Sequence, residues 1–173
     1  MKTRFVCISA VLCLGTIGVS EERPDTGAAA FAQIRALAGE WEGSFEWTGG
    51  RSDTGTMNAT YYSTGNGSAM VENLTVGGIP AMTSVYHLDG ADLRMTHYCG
   101  AKNQPRLKAS KIDGARGILE FSFIDATNLS SPDAAHVYGL EMRFLAADRI
   151  TLTFLFEGGG KRSKERIDLK RVG

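Results

Sequence analysis

From Glu40 onward, apolar and polar residues alternate with period two. In Glu40–Thr48, Trp41, Gly43, Phe45 and Trp47 fall on one side and Glu40, Glu42, Ser44 and Glu46 on the other. That is the pattern of a strand with one face toward a core. Arg149–Glu157 repeats it with Ile150, Leu152, Phe154 and Phe156. Eight more runs rich in β-branched and aromatic residues are bounded by Gly, Asp, Asn or Pro. They are Thr54–Thr64, Ser68–Val76, Met82–Leu88, Leu93–Cys99, Gln104–Ile112, Gly117–Asp125, His136–Leu145 and Ser163–Arg171. Ahead of them Phe31, Ile34, Leu37 and Ala38 keep helical spacing and Gly39 closes the run, which predicts one short helix. Ten evenly spaced strands with hairpin-length links predict an all-β fold, an up-and-down antiparallel barrel of about ten strands, because closure pairs every edge. A two-sheet sandwich is the alternative. The longest link, Ala126–Ala135, is the expected rim loop.

Register follows from Asp89-Gly90-Ala91-Asp92. With Gly90 and Ala91 at the centre of the turn, Leu88 faces Leu93, Tyr86 faces Met95, Ser84 faces His97, and Met82 faces Cys99. This mostly apolar face is the inner one, and His87 turns outward beside Arg94. Four ionisable groups then share inward parity. His97 lies between Met95 and Cys99, Glu72 lies between Met70 and Leu74, and Tyr86 faces Met95. His136 heads the series Tyr138, Leu140, Met142 and Phe144.

A buried polar group left unpartnered costs about 1–3 kcal/mol, so these four should satisfy one another or a ligand. Singly, each is equally a core or rim side chain bonded to backbone or water. A general acid/base pair of Glu72 with His97 or His136 would need burial to displace a pKa toward neutrality. His97, Cys99 and His136 are a conceivable metal set, and either histidine a conceivable haem ligand, although no dense spacing motif supports a metal and none is assigned. Ser84 opposite His97 lacks an orienting carboxylate and a strained elbow, which argues against nucleophilic catalysis.

The N-terminus changes where such a domain would work. Lys2 and Arg4 precede an uncharged stretch from Phe5 to Val19, followed by Gly18-Val19-Ser20 and the charged Glu21-Glu22-Arg23. This predicts a signal peptide over residues 1–20, cleaved after Ser20. The stretch of about 15 residues is shorter than the roughly 20 needed to span a membrane, and no integral membrane segment is expected in the mature chain. Residues 21–30 read as a flexible leader and residues 31–173 as one barrel domain. Export to a periplasm or to the exterior follows as the expected location.

The chain has 19 basic and 19 acidic residues, and the signal removes two basic ones, leaving a net charge of about −2. Nucleic acid is therefore not an expected partner; the C-terminal cluster from Lys161 to Arg171 is interrupted by Glu165 and Asp168 and reads as a strand's solvent face. Of three cysteines only Cys99 survives cleavage, so no internal disulfide is available. A monomer or weak dimer is expected.

Leu37-Ala38-Gly39-Glu40-Trp41-Glu42-Gly43, a short helix running into a Gly-x-Trp strand, resembles the entry of the calycin group: lipocalins, fatty-acid-binding proteins and haem-binding nitrobindins. The resemblance implies that Trp41 closes one barrel end under a basic residue of the last strand, Lys170 or Arg171, and that the barrel binds a small, largely apolar molecule. The segment from Ser84 through His97 and Cys99 to Asn103-Gln104-Pro105-Arg106 also resembles exported bacterial proteins of unassigned function. The functional expectation is an exported barrel for an apolar or amphipathic small molecule, without catalysis. Trp41, Phe45, Met142 and Phe154 would wall its pocket, and Glu72, Tyr86, His97, His136 and Tyr138 would set its polarity. A solidly packed envelope protein acting through its loops is the competing expectation.

Overall fold

The computed structural model describes residues 25–173. The expected signal segment and the first part of the leader lie outside them. Helix α1 (Gly27–Arg35) is followed by β1 (Gly39–Gly49), β2 (Asp53–Thr64), β3 (Ala69–Val76), β4 (Ile79–Asp89), β5 (Asp92–Tyr98), β6 (Gln104–Asp113), β7 (Ile118–Thr127), β8 (His136–Ala146), β9 (Arg149–Gly158) and β10 (Lys161–Arg171). Every neighbouring pair is antiparallel, and β1 closes on β10 from Trp41↔Arg171 to Gly49↔Ser163. The closed barrel replaces the sandwich alternative because no strand edge is left to cover. Among the described residues, no helix is long and apolar enough to cross a membrane.

Two expectations shift. Residues 27–30, assigned to the leader, form the first turn of α1. The Thr26 hydroxyl caps that turn by accepting from the Ala29 N–H at 3.2 Å, and Ala30 is buried. The second shift lies in β8. A bulge between Val137 and Gly139 inserts a residue, and an inserted residue exchanges the two faces of a strand. Leu140 and Met142 are buried in the core as expected, but beyond the bulge the inward residue is Val137. Tyr138 stands on the outer face under the Arg162 guanidinium, 5.2 Å from its ring centroid.

Helix α1 closes one barrel end. Phe31, Ile34 and Leu37 join a core that contains Trp41, Met57, Met70, Leu93, Met95, Leu119, Leu152 and Ile167. The Trp41 indole N–H donates to the Leu37 carbonyl at 2.7 Å. Arg171, not Lys170, packs over the Trp41 ring at 4.4 Å and donates to the carbonyls of Ala38 and Ala36 at 2.6 and 2.7 Å. One side chain thus satisfies carbonyls left free where the helix ends and fixes the helix to the closing seam. At the other end, hereafter the mouth, no helix covers the barrel. Pairing there is also thinner: β7 meets β8 only over Ile118–Ser122, and β5 meets β6 only from Arg94 to Thr96.

Candidate functional site

The expected hairpin register is observed, with Ser84↔His97, Tyr86↔Met95 and Leu88↔Leu93. Strand β3 adds Glu72↔Ser84 and Tyr61↔Glu72. Period two therefore brings Tyr61, Glu72, Ser84, Tyr86 and His97 onto adjacent inner-face positions. Glu72 Oε2 accepts from the Tyr61 hydroxyl at 2.8 Å and the Tyr86 hydroxyl at 3.1 Å, and Oε1 accepts from Ser84 at 2.9 Å. Ser84 Oγ lies 3.0 Å from His97 Nδ1.

Burial pushes the Glu72 carboxyl up from its ordinary value against the opposing pull of these three donors. Burial, followed by the nearby Glu72 charge, raises both tyrosines. The serine sits between the carboxylate and the imidazole and is sealed from water, so its oxygen is not presented to a substrate as a triad nucleophile would be.

The polar chain leads from the barrel centre toward the mouth and ends at His97 Nε2, which has no partner. Burial pulls the His97 pKa down to about 4, so the ring is neutral at ordinary pH. Its ring packs on Phe154 with centroids 4.9 Å apart, and Phe154 is the cross-strand partner of Glu165. Glu165 is 3% exposed, and its Oε2 is unpartnered. Burial lifts its carboxyl to about 7, opposed by the Trp47 indole and the Arg51 charge and aided by Asp53. Cys99 is close enough that Glu165 adds to the raised pKa that burial gives its thiol. At the same end the buried Asn103 donates to the Ala135 carbonyl at 2.8 Å, leaving Oδ1 free.

Trp47 and Phe156 stack at 4.6 Å beside this group, and Arg51 lies 4.3 Å from the Trp47 ring while paired with Asp53 at 2.9 Å. Phe45, Met82, Cys99 and Phe156 are half-buried on the core's margin.

The sequence-derived site residues therefore divide. Glu72, Tyr86 and His97 come together. Trp41, Met142 and Phe154 are at most 1% exposed and form solid core instead of pocket walls. Phe45 is half-buried, its ring lying over Gly55. Tyr138 is excluded by the bulge.

His136 does not join Glu72 or His97. It pairs with Glu157, and its Nδ1 lies 2.9 Å from the Ala134 carbonyl oxygen under the rim loop. Its ring packs on Phe123, where β7 and β8 have parted. The His97, Cys99 and His136 metal set is thus not assembled. Among the described residues, no group of three or more His, Cys, Asp and Glu side chains is placed to hold a metal. His97 is fully buried, its ring against Phe154.

Tyr61, Trp47 and Glu165 were not among the residues read from the sequence as lining the site. Glu165 was readable: it alternates with the inward Ile167 and Leu169, a signal masked by the basic residues around it.

Outside the barrel, a groove of about 770 Å³ separates α1 from the β8–β9 turn, lined by Ala32, Ala36, Leu37, Phe144 and Leu145.

The shift at Glu165 fixes a pH dependence. Below about pH 4.5 the carboxyl is neutral folded or unfolded. Between 4.5 and 7 the unfolded chain releases its proton first, so stability falls as pH rises, by about 3 kcal/mol in total, and levels above 7. Glu165→Gln removes this loss. Thermal melts at pH 5 and pH 8 should show the variant gaining several degrees over the wild type at pH 8 only; parallel profiles would refute the assignment. His97 contributes the opposite slope between about 4 and 6.5 in both proteins and cancels in the comparison.

No model of a known protein family matches the chain, and no curated protein matches it. Its fold does match solved structures. One is a protein of unknown function of the DUF3598 family from Nostoc punctiforme, at 15% identity and TM-score 0.56 over 81% of this chain. The chain spans about half of that protein's length, 49%. Another is Rv2717c from M. tuberculosis, at 15% identity and TM-score 0.57, covering 83% of this chain and 98% of that one. At this identity the likeness is one of fold.

Proposed function

We propose that this chain is an exported binding protein that takes a small amphipathic molecule into the barrel mouth opposite α1. One observation carries the reading. Of five buried side-chain atoms without a hydrogen-bond partner among the described residues, three lie at that end: His97 Nε2, Asn103 Oδ1 and Glu165 Oε2. Deeper in the barrel Tyr61, Glu72, Ser84 and Tyr86 are mutually satisfied. Each unpartnered atom costs about 1–3 kcal/mol, a cost that a ligand's polar group would offset on binding. The half-buried Phe45, Met82 and Phe156 offer that ligand an apolar margin.

The larger groove beside α1 supports a second reading, in which an apolar ligand lies outside the barrel. The two tryptophans distinguish these, because Trp41 stands at the groove end beside Arg171 and Trp47 at the mouth. Export draws on the charged, apolar and small-residue pattern of the first 23 residues.

The test is native mass spectrometry of the full chain expressed in its own host. The expected result is a polypeptide beginning at Glu21 that carries a retained small-molecule mass, lost in Glu165→Gln. A bare polypeptide, together with no change in Trp47 fluorescence on adding host extract, would overturn the binding role. A chain that keeps residues 1–20 would overturn export.

A further inference from the structure

The mouth has a definite hydrogen-bonding polarity. Ser84 has one hydroxyl proton, and it is committed to Glu72 Oε1 at 2.9 Å. With Glu72 ionised, the form its three donors favour, the 3.0 Å contact between Ser84 Oγ and His97 Nδ1 requires Nδ1 to carry the ring proton and donate it. A neutral imidazole with its proton on Nδ1 presents a lone pair at Nε2, and Nε2 is the unpartnered atom. Asn103 adds an acceptor: one amide N–H is engaged by the Ala135 carbonyl, and its oxygen is free. Glu165 Oε2 is a third oxygen. The unpartnered atoms at the mouth are thus acceptors.

Charge points the same way. Two carboxyl side chains, Glu72 and Glu165, are buried on the inner face, and among the described residues no Lys or Arg is buried. Arg51, the cation whose charge acts on Glu165, is exposed, lies over Trp47 and is already paired with Asp53. The aromatic rings of Trp47 and Phe156 flank the opening, and aromatic faces attract cations. An anionic or acceptor-only head group would meet like charge and leave all three acceptors unsatisfied.

We infer that the ligand's polar group is a cation bearing hydrogen-bond donors, an ammonium or amidinium, on an apolar body. The inference rests on the mouth reading proposed above and adds the chemical class. His97 Nε2, Glu165 Oε2 and Asn103 Oδ1 receive the N–H donors, and Phe45, Met82 and Phe156 receive the apolar part. Glu72 acts through Ser84 as a positioning residue, holding the imidazole in the tautomer that accepts.

The experiment uses four probes of equal chain length: octylamine, octyltrimethylammonium, octanol and octanoate. Each is titrated into the Trp41→Phe protein, in which Trp47 is the only tryptophan. Octylamine at pH 8 should bind at least tenfold more tightly than octanol or octanoate. Octyltrimethylammonium, a cation without N–H donors, should fall between. Glu165→Gln should weaken octylamine at least tenfold while leaving octanol unchanged. Should that variant fold poorly, the unsubstituted site at pH 5.5 gives the same loss, because Glu165 is then protonated, His97 remains neutral and the amine keeps its charge.

Octanoate binding as well as octylamine would overturn the cation class and leave the mouth reading standing. Silence of Trp47 toward all four probes would overturn both. So would a response confined to Trp41 in the Trp47→Phe protein, which would place the ligand in the groove beside α1.

Discussion

Replacing Glu72 with alanine is expected to destabilise the protein by about 3–6 kcal/mol, a large part of the roughly 5–15 kcal/mol available to a domain of this size. The carboxylate is the shared acceptor for Tyr61, Ser84 and Tyr86. Its removal strands three hydroxyls in a core where Tyr61 and Tyr86 have essentially no exposure. Glu72→Gln should cost much less, since its carbonyl oxygen can still serve two donors. The decisive comparison is the combined variant Tyr61→Phe, Ser84→Ala, Tyr86→Phe, Glu72→Met. Removing Glu72 together with its three hydroxyl donors is close to neutral for those four groups, and only His97 Nδ1 then loses its partner, so this variant should recover part of the loss. Urea unfolding reads all three. Equal losses in Glu72→Ala and the combined variant would show that packing volume, not the polar network, decides the stability here.

Gly43→Ala is expected to be of comparable size, about 3 kcal/mol or more, by a different route. Gly43 pairs with Leu169 at the seam where β1 closes on β10. A Cβ there would overlap the Asp168 carbonyl oxygen and come within 2.9 Å of its carbon and 3.1 Å of Leu169 Cα. These are backbone atoms, so relief requires β10 to move away from β1 and weaken the closing ladder. Gly55→Ala is the internal control. Its Cβ would meet the Phe45 ring at 2.7 Å, and a half-buried side chain can turn away, so less than half the loss is expected. A Gly43→Ala protein within 0.5 kcal/mol of the wild type in chemical unfolding would show that the seam is slack.

Most of the architecture was legible because period two is a local property. Each strand states its own inner face, which set Glu72 inward, and the Asp89-Gly90-Ala91-Asp92 turn fixed β4 against β5 so that Ser84 met His97 and Tyr86 met Met95 in the sequence alone. The reading failed where local periodicity is interrupted. One inserted residue at Tyr138 turned that side chain outward; Gly139 within the strand pattern is a hint of a bulge, but where the extra residue falls depends on how β9 lies alongside. His136 failed with it, separated from the inner polar chain by the parting of β7 and β8.

Whether the inner face encloses space was likewise not local. The volumes of Trp41, Met142 and Phe154 were visible in the sequence, but whether they wall a void or fill it depends on the barrel's circumference and on α1 sealing one end. Alternation therefore determined the barrel, and with the Asp89–Asp92 turn the register of β4 with β5 and the inward placement of Glu72, Tyr86 and His97. Only closure decided that the centre is solid and that Glu165, from the last strand, lies near Cys99 and His97 at the mouth, because that proximity is set by the curvature of ten strands together and by no segment alone.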